Sequence, residues 1–343
     1  MIDDFVKLGD VAASIVSGLR VPAGVKAIPV TDRAAWLERR KPDVTASVAA
    51  ALFGANAHPY MTSYELWARK SGLVSEPTAE SPAMRRGRLL EPVAIEMLRE
   101  ERPSWTVEAA KLYFSETASR VGATPDVFAT RPDIAGVGVV QLKTVGNFAF
   151  KKGWQNVNGE VEVPLWIVIQ TAIEAALTGA TWAAIAAMTL GDGGLELHIE
   201  DVPIKPALIV KVRELAADFW RRVAESDPYP VDYGRDADLI FKMYRDDDGG
   251  SIDLSANERI PDLLILREQM KERENNGADA AKQRRVLDAE LIAALGNATR
   301  GLLADGRVIE APTTRKKAHM VADLAYRTVR IKEPRGSARA AAE

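Results

Sequence analysis

The 343-residue chain contains no cysteine. Disulfides, thiolate-bound zinc, iron–sulfur clusters and thiol nucleophiles are therefore excluded together. Its three histidines, His58, His198 and His319, are scattered without a nucleophile motif, so Ser-His-Asp chemistry has no support. No GxGxxG or P-loop pattern occurs, which argues against an NTP-driven enzyme. No apolar run approaches the roughly 20 residues a membrane helix needs. Met1-Ile2-Asp3-Asp4 is acidic where a secretory signal is basic. These absences lead to the expectation of a soluble, cytoplasmic protein with no membrane partner.

What is present is ordinary for a globular chain: 47% hydrophobic and 27% charged residues, enough for one substantial domain and an extension. The formal charge of −3 rules out a uniformly basic coat, but a nucleic-acid footprint can be local. Basic clusters stand at Arg39-Arg40-Lys41, Arg85-Arg86 with Arg88, Lys151-Lys152 and Arg315-Lys316-Lys317. Taken singly, each is better read as a solvated face than as a DNA contact.

Residues 1 to 30 form a lead-in without periodicity. Short helices are expected near 33 to 40 and 44 to 53, then one from about Thr62 to Gly72 and a longer one from Ser81 to Glu101, with Pro82 in its first turn. The period then changes. Stretches 105 to 114, 119 to 130 and 136 to 144 read as strands. Pro164 to Gly179, apolar nearly all round, reads as a buried helix. Strands 181 to 190 and 195 to 203 and an amphipathic helix from Pro206 to Glu225 complete an α+β order. Beyond Pro228 and Pro230 the composition shifts. A charged helical hairpin is expected over 256 to 295, interrupted at Asn275-Asn276-Gly277, then short strands over 306 to 332 and a disordered end. The expected division is therefore a lead-in over 1–30, a core over 31–232 and an extension over 233–343.

Asp126 follows Pro125 at a strand start, and Lys143 lies 17 residues later on Val139-Val140-Gln141-Leu142-Lys143. Alternation turns Gln141 and Lys143 to one face. A hairpin through 132 to 138 brings Asp126 beside them. Carboxylates that hold Mg²⁺, with a lysine to orient or activate water, suit phosphodiester hydrolysis. A surface turn with a snorkelling lysine is the plainer alternative. Glu91 stands in an otherwise apolar helical stretch, either as a third metal ligand or paired with Arg88 three residues earlier. Gln170, a lone amide on an apolar helix, must find a partner in a site or in the core.

In combination these pieces resemble the YqaJ-type viral recombinases, relatives of the lambda-type phage exonucleases in the PD-(D/E)xK nuclease superfamily. The resembling run covers about 31 to 225: Arg40 through Ser47 to Gly54, Pro59-Tyr60, Tyr64-Glu65-Leu66-Trp67, Lys70-Ser71-Gly72, Gly87 with Glu91-Pro92, Thr124-Pro125-Asp126, Gln141-Leu142-Lys143, Pro164 with Gln170, and Phe219-Trp220. The resemblance implies a restriction-endonuclease-like core with a mixed central sheet flanked by helices. It implies that Glu91, Asp126 and position 141 bind metal, that Lys143 assists the attacking water and that Gln170 lines the site. It implies that Arg40, Ser47 and Thr124 grip a terminal 5′ phosphate. For Arg40 the residue chemistry agrees, since a guanidinium forks onto phosphate oxygens, whereas Ser47 can also be a helix residue without a ligand.

The expected activity is Mg²⁺-dependent 5′ to 3′ exonuclease action on double-stranded DNA in phage recombination, with Mn²⁺ as a possible substitute, leaving a 3′ single strand. A single-strand annealing protein and a trimeric ring of identical chains are implied partners, in a bacterial or phage-infected cell. One departure stands out. The family has an acid where this chain has Gln141, which offers a carbonyl oxygen but no charge, so metal affinity is expected to fall. The alternative expectation is a nuclease-fold DNA-binding protein, inactive or impaired for that reason.

Overall fold

A computed structural model describes residues 15–30, 32–75, 80–191, 193–274, 278–316 and 324–332. They fall into two compact units, drawn from Met1–Ser71 with Ser75–Asp227 and from Gly72–Val74 with Pro228–Glu343. The first unit begins with β1 (Val25–Pro29), α1 (Arg33–Arg40), β2 (Val44–Thr45), α2 (Ala46–Ala49), α3 (Ser63–Lys70) and α4 (Pro82–Glu101). There follow β3 (Thr106–Ala109), β4 (Leu112–Glu116), β5 (Val121–Ala123), β6 (Val127–Arg131), β7 (Ile134–Gly146) and α5 (Asn147–Gly153). α6 (Leu165–Thr178), β8 (Trp182–Gly191), β9 (Gly194–Val202) and α7 (Pro206–Glu225) close it.

The α+β class is as expected, with two sheets. The larger has the order β3-β6-β7-β8-β9, in which only β7 and β8 run parallel, because α6 carries the chain across. The smaller has the order β1-β4-β5-β2. Two expected strands are corrected. The stretch 105 to 114 divides between the two sheets as β3 and β4, and 119 to 130 divides as β5 and β6. Pro125 has no N–H to give to a ladder, so the second stretch breaks at 124–126. That break places Asp126 where the chain passes from one sheet to the other. β1, inside the lead-in, pairs antiparallel with β4, and residues 1–14 lie outside the described ones.

Strand alternation sorts the core. Val140, Leu142, Ala184 and Ala186 meet Ala94, Ile95 and Leu98 of α4, while Ala183, Ile185 and Ala187 meet Ile167 and Ala175 of α6. Each large apolar side chain so buried contributes roughly 1.5–3 kcal/mol by leaving water. α6 ends at Gly179, whose φ of 73° is left-handed and whose missing Cβ would lie 2.0 Å from the Arg20 carbonyl oxygen.

The second unit contains α8 (Tyr233–Met243), β10 (Ser251–Asp253), α9 (Arg259–Glu274), α10 (Ala278–Leu295), β11 (Arg300–Leu302) and β12 (Val308–Glu310). It ends with β13 (Thr313–Lys316), β14 (Leu324–Arg327) and β15 (Arg330–Lys332). α9 and α10 pack together, with Ile260, Leu263, Leu264, Leu291 and Ile292 buried and Arg267 paired to Asp288. The Asn275-Asn276-Gly277 interruption and the end expected to be disordered lie outside the described residues. Among the described residues, no helix is long and apolar enough to cross a membrane.

Candidate active site

β6 and β7 pair antiparallel with Val127 opposite Val140, which sets Asp126 against the middle of β7. The Leu142 N–H donates to Asp126 Oδ2 at 2.8 Å, and the Gln141 side-chain N–H donates to the same oxygen. Because side chains alternate, Val140 and Leu142 enter the α4 core while Gln141 and Lys143 turn toward α6. α6 answers with two polar residues four apart, one helical turn on the same face. Lys143 Nζ donates to Gln170 Oε1 at 3.0 Å. Gln170 Nε2 donates to Gln141 Oε1 at 2.9 Å and to Glu174 Oε1 at 2.8 Å. Glu174 is fully buried, and its Oε2 has no hydrogen-bond partner among the described residues.

The electrostatics follow from packing acids together out of water. Burial, reinforced by the Asp126 charge, raises the Glu91 carboxyl to about 7. Asp126 is also raised by burial, against the opposing effects of Lys143, the Leu142 N–H and Gln141. Burial and then Asp126 hold Glu174 well above the carboxylate range. Burial pulls the Lys143 amine down, while Asp126 and Glu174 support its charge. Arg88 is not the partner of Glu91: its guanidinium forks onto Glu80 with two 3.0 Å hydrogen bonds.

The second group of residues faces the same cavity. Arg40 Nη2 donates to Thr45 Oγ1 at 3.2 Å and to Ser47 Oγ at 3.1 Å, and its guanidinium lies 4.1 Å from the Trp36 ring centroid. Trp36 Nε1 donates to Thr124 Oγ1 at 3.0 Å, which leaves the threonine proton to donate elsewhere. The chain between Arg40 and Thr45 is fixed by the Tyr113 hydroxyl, which donates to Asp43 at 2.7 Å. Gly122 permits this, since a Cβ there would lie 1.9 Å from that hydroxyl oxygen. His58 braces the two groups: Nε2 donates to the Ser47 carbonyl at 3.0 Å, and its ring meets Trp166 edge-on at 5.3 Å. Lys143 Nζ lies 5.4 Å from that indole's centroid.

All eight residues singled out in the sequence, Arg40, Ser47, Glu91, Thr124, Asp126, Gln141, Lys143 and Gln170, therefore line one open cavity of about 680 Å³. Trp36, Thr45, Glu80 and Glu174 line it too and were not foreseen. Helical spacing holds the missing signal for two of them: Trp36 is four residues before Arg40, and Glu174 four after Gln170.

Among the described residues, no group of three or more His, Cys, Asp or Glu is arranged to hold a metal ion. Glu91 and Asp126 remain as two oxygen donors facing one cavity. That set fits Mg²⁺, which commonly binds through one or two carboxylates and completes its shell with phosphate and water. Gln141, the third ligand the resemblance implies, turns its N–H side to Asp126 and its carbonyl to Gln170.

Comparison with known proteins places the YqaJ-like viral recombinase domain on residues 35–181. An alkaline exonuclease, LHK-Exo, from Laribacter hongkongensis is 21% identical over 57% of this chain and 94% of its own, with a TM-score of 0.43. A phage related exonuclease from Haemophilus somnus 129PT is 13% identical over 53% and 94%, with a TM-score of 0.43. The SOX protein of a SOX–DNA complex is 11% identical over 57% and 68%, with a TM-score of 0.36. No curated protein matches.

Proposed function

We propose that this chain, whose residues 35–181 match the YqaJ-like viral recombinase domain, is a metal-dependent exonuclease that degrades double-stranded DNA from 5′-phosphorylated ends and leaves a 3′ single strand. The observation that carries this reading is the shared cavity. It brings a guanidinium–hydroxyl group, Arg40 with Thr45, Ser47 and Thr124, together with an acid–lysine group, Glu91, Asp126 and Lys143. The first suits a terminal phosphate, since charge-assisted donors on phosphate oxygens are strong and directional. The second suits hydrolysis of a nearby phosphodiester, so anchoring the 5′ end gives the reaction its direction.

Mg²⁺, or Mn²⁺ in its place, supplies charge stabilisation at the phosphate and a more acidic water when bound. Glu91 and Asp126 are the residues that would hold it. Lys143, aimed by Gln170 and drawn toward neutrality by burial, holds or moves a proton at Nζ. The nuclease is assigned to 31–232 and the remainder, 233–343, to an extension. An annealing protein that takes up the 3′ strand and a homo-oligomeric ring around DNA extend the same reading. A second reading, a DNA-binding protein that does not cut, is favoured by one observation: the Gln141 amide adds a second hydrogen bond to an Asp126 oxygen, where an acid at 141 would have no N–H to give.

The test is release of nucleotides from blunt linear duplex, with and without 5′ phosphates, by the unaltered chain and by Arg40→Ala. The phosphorylated duplex is expected to be degraded faster, and Arg40→Ala to remove most of the difference. Equal rates on both ends by the unaltered chain contradict the reading.

A further inference from the structure

Glu174 is a buried acid for which ordinary packing gives no reason. Its neighbours on α6, Ile173, Ala175 and Leu177, are apolar and buried, and a leucine at 174 would fill the same space without the cost of desolvating a carboxylate. Half of its hydrogen-bonding capacity is spent on Gln170, and the other oxygen is unpartnered among the described residues.

What Glu174 does is fix the sense of a chain of amides. Gln170 turns its carbonyl to the Lys143 ammonium and its NH₂ to Glu174 and Gln141. Turned over, it would set its NH₂ against the Lys143 Nζ that donates to its carbonyl, so that contact fixes one orientation and leaves the NH₂ for Glu174 and Gln141. Gln170 then holds the Gln141 carbonyl, and the Gln141 NH₂ is left to face Asp126. A glutamate at 141 would break this order. It would accept from Gln170, have nothing to donate to Asp126 and add a like charge beside it. An amide at 141 and an acid at 174 are thus matched to each other.

We propose that Glu174 is a positioning residue of this site and supplies the carboxyl group that an amide at 141 leaves out, so that the acid stands on α6 rather than on β7. The inference rests on the nuclease reading above. It concerns how Lys143, Gln170 and Asp126 are held, and the keeping of a third carboxyl group beside Glu91 and Asp126 where a divalent cation would bind.

The experiment uses the full chain and two readouts, Mg²⁺ affinity by titration calorimetry and initial rate of duplex cleavage. Glu174→Gln keeps an acceptor for Gln170 and removes only the ionisable carboxyl. It is expected to lose about tenfold or more in both Mg²⁺ affinity and kcat, with KM for duplex little changed; a charge acting through an amide falls short of the roughly 100-fold of a direct stabiliser. The exchange Gln141→Glu with Glu174→Gln keeps the charge count and is expected to recover both. Gln141→Glu alone crowds a further carboxylate beside Glu174 and is expected to lower the melting temperature without metal, which the double exchange restores. A merely structural Glu174 would change melting and leave Mg²⁺ affinity and kcat alone, and that result overturns the proposal. If Glu174→Gln does not fold, the double exchange decides: folded protein with Mg²⁺ affinity near that of the unaltered chain supports the proposal, and folded protein that binds none refutes it. An unaltered chain that binds Mg²⁺ but cuts no duplex removes the nuclease reading and leaves Glu174 to the binding measurement. One that binds no Mg²⁺ removes both.

Discussion

Glu91 carries a prediction that can be read without any substrate. Its carboxyl is raised to about 7, chiefly by burial and then by Asp126, so the folded protein favours the protonated form. The resulting stabilisation is complete below the ordinary carboxylate range and is lost as pH rises through about 7. Asp126 and Glu174 are shifted in the same direction by burial and add to the effect. In EDTA the melting temperature should therefore fall between about pH 4.5 and pH 7, and Glu91→Gln should flatten that fall. Added Mg²⁺ should raise melting more at about pH 8 than at about pH 5.5, because its ligands must be ionised. A metal-induced shift independent of pH would remove Glu91 from the cation site. At this scale the site was legible where chemistry and spacing coincide. Asp126 and Lys143 stand out because Pro125 marks a strand start and alternation fixes the face of Lys143. Glu174 was not legible, since an isolated acid on an apolar helix gives no sign of what it faces until Gln170 and Gln141 are placed beside it. The Arg88 and Glu91 spacing suggested a pair, and Glu80, further from Arg88 in sequence, won because it offers both oxygens to the guanidinium.

α6 is the element on which the site depends, since it both crosses between β7 and β8 and presents Gln170 and Glu174. Its C-terminus requires Gly179, where a side chain would be strained by the left-handed backbone and would meet the rigid Arg20 carbonyl. Gly179→Ala should destabilise the first unit by more than about 1 kcal/mol, read as a drop in the denaturant midpoint with unchanged slope. Unchanged stability would show that the turn relaxes freely. Long periodic elements such as α4, α6 and α7 could be read from the sequence because each buries a face or a whole surface. α5 and α8 could not. α5 begins directly at the end of β7 with no break in the chain to announce it, and α8 opens on Tyr233-Gly234-Arg235, where the glycine and the capping Asp232 read equally well as a turn. Strands 105 to 114 and 119 to 130 looked continuous because composition does not record a change of sheet.

For the whole molecule, the described residues of 228–343 have their own buried residues, including Leu263, Leu291, Ile292 and Ile309. A chain ending at Asp227 should therefore stay soluble, melt cooperatively and keep the cavity chemistry, while any assembly or partner binding that uses the extension is lost. Insoluble protein would mean that the extension completes the core. The net charge of −3 leaves DNA contact to local basic groups, so binding should weaken steeply with salt despite the acidic total. The central claim, that one cavity anchors a 5′ phosphate and cuts beside it, is tested most directly by polarity. A linear duplex with one 5′-phosphorylated end, each strand labelled separately, is incubated with the unaltered chain in Mg²⁺ or in EDTA. The account predicts that the phosphorylated strand is shortened from its 5′ end in Mg²⁺ only, with the complementary strand left intact. Loss of both strands alike, or shortening from the 3′ end, would contradict it.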